Sequence, residues 1–330
     1  MVIWILRRLG YMVITLFLVS LLTFFIIELA PGSAVDSEIS RLRAMGSTVS
    51  TQQVEALEEQ YGVNDPWIVK YGKWAGGLVR GDFGMSFAYR QPVADVIWSR
   101  FGLSVALALG ATIVAWGIAI PVGVYSATHR YTLADNIITL IQFIGVAIPE
   151  FLLALAVLVG AVQFGGIDVG GLFSNEYRNA PWSLDKLLDM LAHLWMPLLV
   201  ISVASTAWLT RVMRANLFDV LGQQYVQTAR AKGVGRAAIH LRHALRNAAI
   251  PALTVLGYVA GNLLAGTVVV ETVFTRPGLG RLTVTAVGTQ DIPMVQGIVV
   301  FAALVFVLVN LLVDLAYPLL DPRIVTGARV

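Results

Sequence analysis

The sequence predicts an all-α membrane protein with six transmembrane helices, and three observations carry that prediction. Of 330 residues, 57% are apolar and only 13% are charged, against about 45–50% and about 25% in a soluble domain. The mean hydropathy is correspondingly high, at +0.76. Six stretches reach the roughly 20 mostly apolar residues that cross a bilayer. Basic residues are also denser on one side of those stretches. With both termini inside, 12 Lys and Arg face inward against Asp135, Asp219 and Asp321, and 11 face outward against 14 acidic residues on a longer stretch of chain. Cytoplasmic loops collect Lys and Arg, so the expected topology is N-in, C-in.

The six spans follow in order. The first runs from Leu9 to Leu29, after Arg7 and Arg8. It is long for a leader, and Pro31 stands where cleavage would have to occur, so it reads as a span. The second is Phe101 to Tyr125 and the third Ile137 to Val162. The fourth, Leu191 to Val212, is interrupted by Pro197 and several Ser and Thr. Pro251 to Phe274 makes the fifth, where Gly257 and Gly261 form a GxxxG face for close helix packing, continued by Ala265 and Gly266. Gln296 to Leu319 makes the sixth. The chain thus divides into residues 1–30, a long outer segment 31–100, a five-span core 101–319 containing the basic inner loop 213–250, and an inner tail 320–330.

In the outer segment, Pro31-Gly32-Ser33 stops the first helix. Ser50 with Gln53 reads as a capping box for a short helix, Thr51 to Tyr61. Asn64-Asp65-Pro66 makes a turn. Trp67, Tyr71 and Trp74 then form an aromatic face at the membrane interface, either packed on the membrane domain or offered to a soluble partner. Gln163 to Met190 is a Gly-rich, then acidic loop with Asp168, Glu176, Asp185 and Asp189. Arg276-Pro277-Gly278-Leu279-Gly280 is a tight turn by composition. Between the fourth and fifth spans, helical text runs to Lys232, breaks at Gly233 and Gly235, and resumes from Arg236 to Ala249. A merely solvated basic face needs no glycine break, which favours a docking element over a lipid-surface segment.

Several chemistries are absent. There is no cysteine, hence no disulfide or thiolate site. No phosphate-binding loop, G-x-S-x-G, H-E-x-x-H or dinucleotide fingerprint occurs. His240 and His243 are three apart, but without nearby carboxylates no metal site is assigned, and the short basic stretch does not read as a nucleic-acid surface. Glu28 and Asp314 lie near span ends. Glu150, after Pro149, is the more central carboxylate. It either bonds a neighbouring helix or backbone freed by Pro149, or faces a wet pathway. Pro149, Glu150 and Asn262 are the candidate pathway residues.

Taken together, the motifs resemble the membrane-spanning subunits of ATP-binding-cassette importers of the dipeptide, oligopeptide and nickel permease type. The similarity runs over nearly the whole chain. It is carried by Arg7-Arg8, Ala30-Pro31-Gly32, Gly81-Asp82-Phe83-Gly84-Met85-Ser86 and Ile148-Pro149 with Phe151. It continues through Tyr225 to Pro251 with its core Thr228-Ala229-Arg230-Ala231-Lys232-Gly233, then Glu271 with Phe274 and Pro277-Gly278-Leu279-Gly280. Asp291, Pro293, Val295-Gln296-Gly297 and Leu320-Asp321-Pro322-Arg323 complete it. The general importer loop begins Glu-Ala-Ala where this chain has Gln227-Thr228-Ala229, and its proline comes sooner after the glycine. Both departures are usual in the peptide branch. The outer loop with Pro181-Trp182 is similar to B-type subunits of Yej-like peptide importers.

The resemblance implies a type I importer permease fold in the cytoplasmic (inner) membrane of a prokaryote. It implies one half of a transmembrane pair with a second homologous permease chain. Two ATPase subunits would hold ATP and Mg, leaving no cofactor in this chain, and an extracytoplasmic binding protein would deliver the solute. Thr228, Ala229, Arg230, Ala231, Lys232, Gly233, Val234 and Arg236 would couple to an ATPase. The expected solute is a peptide or peptide-like molecule, with nickel chelates, glutathione, opines and oligosaccharides as alternatives within the family. An ion-coupled secondary transporter is the reading from another class. It calls for paired intramembrane charges and inverted repeats, and the sequence displays neither.

Overall fold

The computed structural model describes residues 2–29, 35, 39, 50–55, 65–165, 171–249 and 267–320. Among them the chain is helical, with Met85–Pro92 an isolated β-bridge. It divides into two compact units, Met1–Gly102 with Leu282–Val307 and Leu103–Arg281 with Leu308–Val330.

In the first unit, α1 (Val2–Glu28) carries no charge between Arg8 and Glu28. Its 27 residues make a rod of about 40 Å, and apolar side chains such as Val13 and Ile26 stay exposed, as a lipid-facing helix requires. The capping box at Ser50 forms in both directions: Gln53 N donates to Ser50 Oγ at 3.3 Å and Ser50 N donates to Gln53 Oε1 at 3.0 Å. Residues 51–55 are helical, and the rest of the helix expected to Tyr61 lies outside the described residues. The aromatic face of α2 (Trp67–Val79) is used for packing on α1. Phe24 meets Tyr71 and Trp74 at 5.4 and 5.9 Å between ring centroids, and Phe25 meets Trp67 at 5.2 Å. Tyr71 Oη lies 2.9 Å from Ser20 Oγ, and Lys70 pairs with Glu28 at 2.6 Å.

The loop 80–92 closes on Asp291. Gly81 and Gly84 take left-handed φ values of 81° and 84°. Ser86 Oγ and Ala88 N donate to Asp291 Oδ2 at 2.5 and 3.0 Å, while Phe87 N and Met294 N donate to Oδ1 at 3.2 and 3.3 Å. Asp291 is fully buried. Trp98, Phe101 and Phe301 form a ring cluster nearby in the same unit.

The 36-residue helix α3 (Val93–Thr128), with Pro121 inside it, leads from the first unit into the second at Leu103. Tyr131, at φ 60°, turns the chain into α4 (Leu133–Ala147), which Thr132 caps by accepting from Asp135 N at 3.3 Å. Then α5 (Glu150–Gly160) follows at a bend of 99°. The long helix α6 (Leu184–Leu221) keeps Pro197 within it, and Ser183 caps its start. It packs against α4 and α5. Small residues set the approach: a Cβ on Gly145 would stand 3.1 Å from Ala207 Cβ, and one on Gly123 would stand 2.7 Å from Met213 Cβ. A buried ion pair locks the same end, with Arg214 Nε and Nη2 donating to Asp135 at 3.0 and 2.8 Å and Ser126 Oγ also donating to Asp135.

The Arg276–Gly280 turn is wound round Glu271, which is fully buried. Ser104 Oγ donates to Glu271 Oε1 at 2.6 Å and accepts from Leu279 N at 2.8 Å, while Arg281 N donates to Oε2 at 3.0 Å. A side chain on Gly278 would run into this carboxylate, and a Cβ on Gly280 would stand 2.5 Å from Val268 Cα. Beyond the turn lie α9 (Leu279–Gly288) and α10 (Ile292–Leu320).

Three expectations change. The third span is not one helix. Pro149 lacks an N–H, and its ring pushes Ile148 to an extended φ/ψ of −75°/120°, so the run breaks there. The helices of the second, fourth and sixth spans outrun their apolar text, and in the fourth Ser183 sets the start by capping. Asp185 and Asp189, expected in a loop, lie in the first turns of α6, where a carboxylate favours the helix dipole. Among the described residues four helices are long and apolar enough to cross a membrane, and the bent α4–α5 pair makes up to five. Most of the fifth expected span, including Gly257, Gly261 and Asn262, lies outside the described residues.

Gly278→Ala should lower the unfolding midpoint of the detergent-purified chain, at a cost of about 1–3 kcal/mol for overpacking. Gly76→Ala, a mid-helix position with no neighbour within 4 Å, should leave it unchanged or raise it by up to about 1 kcal/mol. Equal midpoints for the two variants would remove the steric argument.

Candidate functional site

The basic loop folds as a helical hairpin. The first arm is α7 (Gln224–Ala231). The second begins as α8 (Arg236–Ala238), widens into a π-helical stretch, Ile239–Ala244, and stays helical to residue 249. The break between the arms has a defined geometry. Val234 N donates to Ala229 O at 3.1 Å and Gly233 N donates to Arg230 O at 3.0 Å. Those two bonds, with Gly233 at φ 76°, make a Schellman cap with glycine at its left-handed position. Gly235, by contrast, is extended and starts the second arm.

One face of the hairpin is buried and the other open. Val226, Ile239, Ala244 and Ala248 are at most 1% exposed. They lie inward, and Ala244 and Ala248 join Ala119, Leu209, Met213 and Leu217 in one cluster. Asn247 Nδ2 donates to Tyr225 Oη at 2.8 Å and ties the arms together. Of the residues expected to couple, Thr228, Arg230, Ala231, Lys232, Gly233 and Arg236 are exposed, while Ala229 and Val234 are half-buried. Gly233 does not serve a close approach of the two arms. No atom lies within 4 Å of a Cβ at that position, so glycine is required for its backbone angle.

His240 is half-buried on the second arm. Burial, with Arg230, Arg236 and His129 around it, pushes its imidazole below the ordinary histidine range. It is therefore neutral at neutral pH, and no grouping of three His, Asp or Glu side chains for a metal occurs among the described residues.

The second candidate region is the break in the third span. Pro149 is exposed, and Glu150 opens α5. Glu150 is half-exposed, yet its Oε1 is shut from solvent and has no hydrogen-bond partner among the described residues. The Gln142 side-chain nitrogen on α4 is in the same state. Asn262, the third pathway candidate, lies outside the described residues.

Sequence reasoning missed the importance of three carboxylates. Asp135, Glu271 and Asp291 are at most 1% exposed, and the sequence reading gave none of them a structural role. The signals were present in the text: Ser86 in the GDFGMS stretch and the glycines of the RPGLG turn leave the space these carboxylates fill.

Comparison with known proteins agrees with this architecture. Residues 119–326 match the family described as binding-protein-dependent transport system inner membrane component, and residues 1–108 match its N-terminal membrane component. The oligopeptide transport system permease protein AppB of Bacillus subtilis (strain 168) is 38% identical over 323 residues, covering 97% of this chain and 98% of the relative. The dipeptide transport system permease protein DppB of Escherichia coli (strain K12) is 34% identical over 337 residues, with 97% and 98% covered. A putative peptide transport system permease protein of Brucella abortus (strain 2308) is 34% identical at the same coverage. The chain belongs to the family of inner membrane components of binding-protein-dependent transport systems.

Proposed function

We propose that this chain is one transmembrane half of an ATP-driven importer of peptides or peptide-like solutes. The observation that carries the reading is similarity over 97% of the chain to permeases named for oligopeptides and dipeptides. Six spans, both termini in the cytoplasm and an outer segment from 31 to 100 complete the topology. A second, homologous permease chain closes the pathway. Hydrolysis belongs to two separate ATPase subunits, and an outer binding protein delivers the solute to this chain's outer loops.

The hairpin then acts as the mechanical input. Its exposed face, from Thr228 to Arg236, seats on an ATPase, where Lys232 and Arg236 meet acidic groups. Its buried face grips the ends of α3 and α6 through Ala244 and Ala248. The Schellman cap at Gly233 keeps the two arms at a fixed angle, so displacement of the platform moves the spans and is not absorbed as local bending. ATP must favour one conformer, and a near-complete switch from 1:99 to 99:1 needs about 5.5 kcal/mol of differential binding. At the broken span, Glu150 faces the pathway and receives the solute's ammonium group.

Three measurements test the proposal. Native mass spectrometry of the tagged chain should find it with one different permease and two ATPases, whereas a stable monomer or homodimer without ATPase would overturn the importer reading. Uptake driven by ATP should be abolished by Gly233→Trp and reduced by Gly233→Ala, which strains the left-handed position by about 1–2 kcal/mol. Gly233→Asn should retain most of it, because Asn tolerates that conformation, and wild-type rates in the Trp variant would refute docking. Glu150→Gln should slow uptake of a free peptide while leaving the N-acetylated peptide unaffected. If both peptides are taken up as in wild type, Glu150 is structural.

A further inference from the structure

Behind the coupling hairpin, within the second unit, lies a cavity of about 510 Å³. It is walled by Thr128 at the end of α3, by Phe218 and Asp219 at the end of α6, and by Arg230 and His240 from the two hairpin arms. Ala127 and Leu221 stand in the same wall beside the charged groups. No ion pair within 4 Å joins Asp219 to Arg230 among the described residues. Further guanidinium groups stand near the wall: Arg236 acts on His240, and the Arg130 guanidinium lies 3.5 Å over the Phe218 ring. Arg214, a turn earlier on α6, is already committed to Asp135.

We infer that this cavity is a binding site for a phosphate group, supplied by the headgroup of an anionic phospholipid. A guanidinium and an imidazole that line one cavity from two different elements can both donate to the oxygens of one phosphate, and the volume falls within the range of small-molecule sites. Apolar wall beside the charges suits glycerol and the first acyl carbons. The lipid assignment rests on the orientation proposed above, which puts the cavity at the cytoplasmic leaflet, where anionic lipids and basic juxtamembrane segments meet. An occupant would clamp the hairpin to the ends of α3 and α6, which is the joint that transmits coupling.

The test uses the full chain in mild detergent, needs neither ATPase nor uptake, and so can fail separately from the importer reading. Phosphatidylglycerol or phosphatidylcholine is added in excess, and lipid retained per chain is read by intact mass. Phosphatidylglycerol should be retained over phosphatidylcholine, with affinity lowered about tenfold or more in Arg230→Gln/His240→Gln, the loss of a charged hydrogen bond. Asp219→Asn should act in the opposite direction and strengthen retention, which a misfolded variant would not do. Inorganic phosphate alone is the second arm. If it stabilises the wild-type chain against heat but not Arg230→Gln/His240→Gln, and the lipids show no preference, the site is assigned to free phosphate. Equal retention of both lipids in all variants, with no effect of phosphate, overturns the site.

Discussion

A membrane helix cannot stop without leaving backbone N–H groups that lack partners, and in an apolar solvent each such group is costly. This chain meets that constraint with buried carboxylates. Asp291 takes the N–H groups of Phe87, Ala88 and Met294. Glu271 takes Arg281 N, together with the Ser104 hydroxyl. Asp135 takes Tyr131 N and the Arg214 guanidinium. Each carboxylate thus binds a chain break to another helix or loop of its own unit. The apolar surface drives insertion, but these polar knots decide where the helices end and what they hold.

The same logic explains why the broken span differs from the others. At Ile148-Pro149 the backbone is interrupted without a carboxylate closing the break. Glu150 stands there with one oxygen shut in and unbonded among the described residues. A break tied off by hydrogen bonds is a structural joint, whereas this break keeps an unbonded carboxylate oxygen, which is the ground for the pathway role proposed for Glu150.

The hairpin combines rigidity with exposure. Its buried residues are small or β-branched and seat it on the helix ends, and its open face carries the basic groups. Rigidity at the turn comes from two backbone bonds and one left-handed glycine, not from side-chain packing, since the space around Gly233 is empty. That arrangement leaves the outer surface free of internal demands, so its side chains can serve a partner.

Much of this was legible in the text. Apolar runs located the long helices α1, α3, α6 and α10, Ser50 and Gln53 announced a capping box that forms in both directions, and the Gly233 break marked the hairpin. Trp67, Tyr71 and Trp74 announced an aromatic face whose seat on α1 the structure supplied. Such features depend on residues close in sequence or on bulk hydrophobicity, so the sequence by itself determined the helical class, the apolar segments and the hairpin. Only the tertiary structure decided that Asp135, Glu271 and Asp291 are buried, that Gly278 must be small to clear Glu271, and that Gly233 is needed for its angle and not for its size. It also turned the continuous third span into two helices at 99°. Those outcomes depend on partners far apart in the chain, such as Ser86 with Asp291 or Ser104 with Glu271. A carboxylate's burial is set by the donors that surround it, and hydropathy along the chain does not contain them.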